Sequence, residues 1–98
     1  LEGVPSQHDR GTAYRFYCEK AVAHKNGVGC HYFQCYDQFC LGRFDGENYN
    51  IGLFDICSQP YPDMMEQVKL CSSEMYLVAD GKKEAVKEHA PSIPMIAY

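Results

Sequence analysis

The 98-residue chain has no tryptophan. It also has no basic stripe, no long apolar run and no Asn-x-Ser/Thr sequon. Each absence excludes something. The nine basic residues are scattered and the net charge is −4. Nucleic-acid binders concentrate Lys and Arg to displace counterions, so a nucleic-acid partner is not expected. The same charge argues against a cationic membrane-lytic peptide, and no apolar stretch approaches a bilayer span. Without a sequon, N-glycosylation is not expected. "NGVG" and "DGEN" lack the glycine spacing and following helix of a phosphate loop. No internal repeat or low-complexity segment is visible.

What is abundant points to a packed and stapled chain. Apolar residues make up 46% and charged residues 22%, which favours a core over disorder. One domain is the natural reading at this length, and short domains often need covalent staples. The chain opens on "LEGVPSQHDRG" rather than on methionine, which reads as a processed or trimmed start. Residues 1–12 read as a flexible lead and 13–98 as a single disulfide-stabilised domain.

The stretch "CHYFQCYDQFC" carries Cys30, Cys35 and Cys40, with His31 beside the first. On a helix, five residues rotate a side chain by about 140°, so the three thiols diverge. On a strand, Cys35 faces away from the other two. Zinc ligands come in tighter, convergent pairs, so no metal is expected. An even count of six favours complete pairing in an oxidising compartment. Each of Cys30, Cys35 and Cys40 then pairs with one of Cys18, Cys57 and Cys71, with no bond inside the first set.

The periodicities suggest an α+β fold. "TAYRFYCEKAVAHK" fits a strand through Tyr14, Phe16 and Cys18, or a helix through Tyr14, Cys18 and Ala21. "QFCLGRFDGENYNIGLFDIC" reads as a hairpin turning at "DGEN". Asp63 with Glu66 resembles a capping box, and Met64, Val68, Cys71 and Met75 recur at helical spacing. "MYLVA" reads as a last strand, and "KKEAVKEHA" as a short helix. The expected architecture is an antiparallel sheet with one or two helices packed on a face, compatible with a ferredoxin-like sandwich.

Catalytic constellations are thin. His24 and His31, with Lys25, flank the Asn26-Gly27 turn and form the only ribonuclease-like pair. The carboxylate pairs Asp45/Glu47 and Asp37/Asp55 are the glycosidase candidates, but acidic residues in turns are ordinary loop formers. No cofactor site is visible, and a non-enzymatic protein is expected. The hairpin is apolar on both faces. Phe39, Leu41 and Phe54, rimmed by Arg43 and Asn50, are then covered either by the chain's own amino-terminal segment or tail, as an internal second layer, or by a partner protein, for which they are the candidate binding patch.

Short length, six spread cysteines, tyrosine richness and the lack of a catalytic motif together resemble the small secreted cysteine-rich effectors of plant-associated fungi. "YRFYC" is similar to the start of the ribonuclease-like group. With Cys71 as the last cysteine, the killer-toxin-like, ferredoxin-like group is the closer class. The resemblance implies a secreted virulence protein that binds a host or co-secreted protein, acting in or on a host. A toxin, an inhibitor or a ribonuclease-like protein is the alternative.

Overall fold

A computed structural model describes residues 3–93, and these contain two helices and no sheet. Helix α1 spans Gln7–Ala23 and helix α2 spans Pro62–Ala79. The expected antiparallel sheet is thus corrected. Pairing is limited among the described residues to isolated bridges, Gly3 with Ile93, Tyr36 with Phe54 and Phe54 with Pro60. The ferredoxin-like expectation falls with the sheet.

Helix α1 begins where Ser6 caps it. The Ser6 hydroxyl accepts from the Asp9 amide at 3.0 Å, satisfying one of the open N–H groups of the first turn. Residues 7–12 are therefore helical. Helix α2 starts one residue before the expected Asp63. Pro62 occupies the first turn, where its missing N–H costs nothing, and Tyr61 is the N-cap without a side-chain bond. The stripe expected on α2 is real: Met64 and Cys71 are fully buried, and Val68 and Met75 are half-buried. It continues to Val78, so "MYLVA" is the last turn of this helix and not a strand. Gly81, at φ +74°, ends it in the left-handed region, and the Lys82 amide donates back to Leu77 O at 2.9 Å. "KKEAVKEHA" lies beyond this cap and is not helical.

The two helices run side by side in the same direction. Gly11 abuts Met64 and Gln67, Arg15 reaches Glu74, and Ala23 and Val78 border one cavity further along. A parallel pair needs a long crossover, and residues 24–61 supply it. This crossover has neither helix nor strand because side chains take the bonds that a hairpin ladder would use. Gln38 accepts from the Tyr49 amide at 2.7 Å, and Asp37 accepts from the Gly52 amide at 2.7 Å. Asn48 donates to Cys40 O at 3.0 Å. Local side-chain bonds of this kind compete directly with sheet formation. The "DGEN" turn does form, with Gly46 at φ +89° and the Arg43 amide donating to Glu47 O at 2.8 Å.

The core is small. Among the described residues Cys18, Met64, Cys71 and Val78 are the buried apolar side chains, beside Thr12 and Glu19. The accessible surface is 6875 Å². A folded monomer of this mass exposes about 5,700 Å². The radius of gyration is 14.5 Å, above the ~13 Å of a compact domain of this length. Val28, Leu41 and Phe44 are almost wholly exposed.

Candidate functional site

A polar network joins the start of α1, the crossover and the start of α2. Asp37 is its hub. Asn50 Nδ2 lies 2.8 and 3.0 Å from the two Asp37 oxygens, and the Tyr61 hydroxyl donates to Oδ2. Burial, reinforced by this bond to Asp37, raises the pKa of Tyr61. Gln7 donates to Asn50 Oδ1, and Arg10 Nε donates to Gln7 Oε1 at 2.9 Å. The Arg10 guanidinium lies over the Tyr61 ring at 5.0 Å. The Tyr32 hydroxyl donates to Ile51 O at 2.7 Å, and burial raises its pKa against the opposing pull of Arg10.

This network floors an open cleft of about 440 Å³. Gln7, Arg10, Tyr32, Tyr49, Asn50 and Ile51 are among its walls. The volume lies within the range of small-molecule sites. The lining combines aromatic rings, side-chain amides and one guanidinium group. None of these wall residues is a carboxylate.

The glycosidase carboxylate candidates are occupied elsewhere. Asp37 is saturated by Asn50, Gly52 and Tyr61. Asp55 Oδ1 accepts from the amides of Cys57 and Gln59 at 2.8 and 3.0 Å and shapes a turn. Arg43 pairs with both Asp45 and Glu47, at 3.7 and 3.0 Å. His24 Nδ1 accepts from the Asn26 amide at 3.1 Å, and His31 is exposed.

The five residues of the candidate patch take different roles. Phe39 and Leu41 are exposed, at 61% and 86%. Phe54 is half-buried against Tyr36, with ring centroids 5.7 Å apart. Asn50 belongs to the Asp37 network, and Arg43 to the ion pairs of its own turn. Gln7, Arg10 and Tyr32 were not singled out from the sequence. Only Ser6 followed by Asp9, a capping signal, could have drawn attention to the first two.

The cysteines separate into a buried and an exposed group. Cys18 and Cys71 are buried, and Cys30 Sγ lies 2.9 Å from Cys18 Sγ. Burial pushes the Cys18 thiol up to about 12, with the bond to Cys30 adding to it. Cys35, Cys40 and Cys57 are exposed. Among the described residues no cluster of His, Cys, Asp or Glu is arranged to hold a metal, and no helix is long and apolar enough to cross a membrane.

No family model matches the chain. Known proteins nevertheless resemble it. It is 36% identical over 79 residues to beta-agarase B of Vibrio sp. (strain JT0107), a match covering 80% of this chain and 8% of that protein. It is 40% identical over 79 residues to beta-agarase A of the same strain, covering 76% of this chain and 8% of the relative. The solved structure described as "Structure of PfGH50B" superposes with a TM-score of 0.72 at 34% identity, covering 76% of this chain and 11% of that one. The chain therefore spans less than a tenth of the length of the curated relatives it matches.

These likenesses overturn the fungal effector reading. The relatives are bacterial and are named for an agar-degrading activity, so the virulence role and the killer-toxin-like class are withdrawn. The toxin, inhibitor and ribonuclease alternatives go with them, as does the expectation of a non-enzymatic protein. Class-level features misled because short length and dispersed cysteines are not specific to one family. The relatives agree with an extracellular location.

Proposed function

We propose that this chain is a carbohydrate-contacting segment of an agar-degrading protein, acting on a polymer outside the cell rather than in or on a host. The similarity to two beta-agarases carries the reading. The cleft gives it a physical basis, since aromatic and amide side chains line it without a carboxylate. Retention on agarose beads tests this. The chain is expected to be retained. Passage through the column unretarded would defeat the proposal.

The protein partner is then the remainder of such a larger protein. Exposed Phe39, Leu41 and Phe44, a surface above that of a compact monomer and an apolar core of four side chains among the described residues support this reading. Leu41→Glu should leave the melting temperature of the isolated segment unchanged. A large drop would mean that Leu41 serves the internal fold.

A further inference from the structure

Arg10 differs from the other two arginines. Arg15 pairs with Glu19 and Glu74, and Arg43 pairs with Asp45 and Glu47. Among the described residues no carboxylate pairs with Arg10. Its bonds go to neutral groups: Nε to Gln7 Oε1 at 2.9 Å, and Nη1 to the Tyr32 hydroxyl at a long 3.4 Å. Nη2 is buried and has no partner among the described residues. A buried donor left unsatisfied is costly and calls for an explanation. Arg10 also lines the cleft, whose walls carry no acidic residue. The nearby carboxylate of the network, Asp37, is already saturated by Asn50, Gly52 and Tyr61.

From this we infer that the cleft recognises an anionic substituent on a polysaccharide, a sulfate ester or a carboxylate, with Arg10 as its counter-ion. The inference rests on the carbohydrate reading above. A guanidinium offers a planar fork of donors matched to such oxyanions, and turning the side chain out of its present position would bring Nη2 into use. Tyr32 and Tyr49 line the same cleft as Arg10, beside Gln7 and Asn50. The chain's net charge of −4 opposes a polyanion at long range. The preference therefore arises from contact at Arg10 and not from steering.

The test is a calorimetric titration of the chain with four probes. These are a neutral agarose-derived tetrasaccharide, the same sugar bearing one sulfate ester, the same sugar bearing one carboxylate, and inorganic sulfate. At least one anionic sugar should bind about tenfold or more tighter than the neutral one, as a charge-assisted hydrogen bond allows. Comparing the two distinguishes sulfate from carboxylate as the natural group. Arg10→Gln should bring neutral and anionic sugars to equal affinity. Should that variant not fold, raising the salt on the unmodified chain serves instead, and the anionic preference should shrink. Equal affinities in the unmodified chain, a preference kept by Arg10→Gln or one indifferent to salt would overturn the inference. Inorganic sulfate binding as tightly as the sulfated sugar would reduce the site to an adventitious ion only. Binding of the neutral sugar with no anionic gain defeats this inference alone. No binding of any sugar defeats the carbohydrate reading as well.

Discussion

Gly11 on α1 faces Gln67 on α2 so closely that a Cβ built on the glycine would lie 2.8 Å from Gln67 Cβ. The Met64 carbonyl would be 3.1 Å away. Both neighbours belong to the body of α2, so neither can swing aside as the tip of a long side chain could. Alanine would gain about 1 kcal/mol of helix propensity at this position. Overpacking costs about 1–3 kcal/mol and is expected to win. Gly11→Ala should be mildly destabilised and Gly11→Val clearly so, as read from urea midpoints at unchanged m-value.

The second expectation concerns Glu19, a fully buried carboxylate. It pairs with Arg15, whose Nη2 also reaches Glu74 at 2.7 Å, and it accepts from the Val86 amide at 3.1 Å. One side chain thus ties α1 to the segment after α2. Removing one member of such a buried pair typically costs about 3–5 kcal/mol, because the remaining groups lose their partner. Glu19→Ala should approach that loss. Glu19→Gln should lose less, since its amide oxygen can still accept from Val86. Equal midpoints for both variants and the unmodified chain would show that the pair adds no stability.

Glu74 gives a pH dependence with a definite sign. Its hydrogen bond to Lys83, followed by the charges of Lys83 and Arg15, holds its carboxyl below the usual range. A depressed folded-state pKa stabilises the fold above the unfolded value and loses that contribution as the pH falls through the folded one. Stability should therefore fall on acidification below about pH 4.3, the ordinary glutamate value. Glu74→Gln should flatten that limb in thermal melts recorded across the acid range.

Cysteine reactivity should divide by burial. In the reduced, folded chain, iodoacetamide at mildly alkaline pH should label Cys35, Cys40 and Cys57 and spare Cys18 and Cys71. A thiol held at about 12 has almost no thiolate to attack with. Under oxidising conditions Cys18 and Cys30 are the expected pair, given their 2.9 Å approach. That pair links the set of Cys30, Cys35 and Cys40 to the set of Cys18, Cys57 and Cys71. Peptide mapping that joined Cys30 to Cys35 would contradict this. Rapid labelling of Cys71 would contradict the buried helix contact.

The sequence made α2 legible and hid α1. Met64, Val68, Cys71 and Met75 repeat at helical spacing because one side of α2 meets the core and the other meets solvent. On α1 the buried side includes Thr12 and Glu19, so polarity does not mark the face that α2 covers. The alternation of Tyr14, Phe16 and Cys18 then imitates a strand. The hairpin expectation failed for a related reason. Its aromatic runs suit a sheet, but Asp37, Gln38 and Asn48 divert backbone groups of the crossover, which only tertiary structure reveals. The cleft was hidden because its walls come from residues 3–7, Arg10, Ala13, Tyr32, 49–51 and Ile93. Asn50 alone had been singled out, and for a different surface.

The central claim, that the cleft between the start of α1 and residues 49–51 contacts an agar-type saccharide, is tested most directly by nuclear magnetic resonance. A 15N-labelled sample of the chain is titrated with an agarose-derived tetrasaccharide and the perturbed amide signals are assigned. The account predicts saturable shifts concentrated at Gln7, Arg10, Asn50 and Ile51, with the Asn50 side-chain amide among them. Shifts confined instead to the cavity formed by Phe16, Lys20 and residues 81–89, or no shift at saturating sugar, would contradict it.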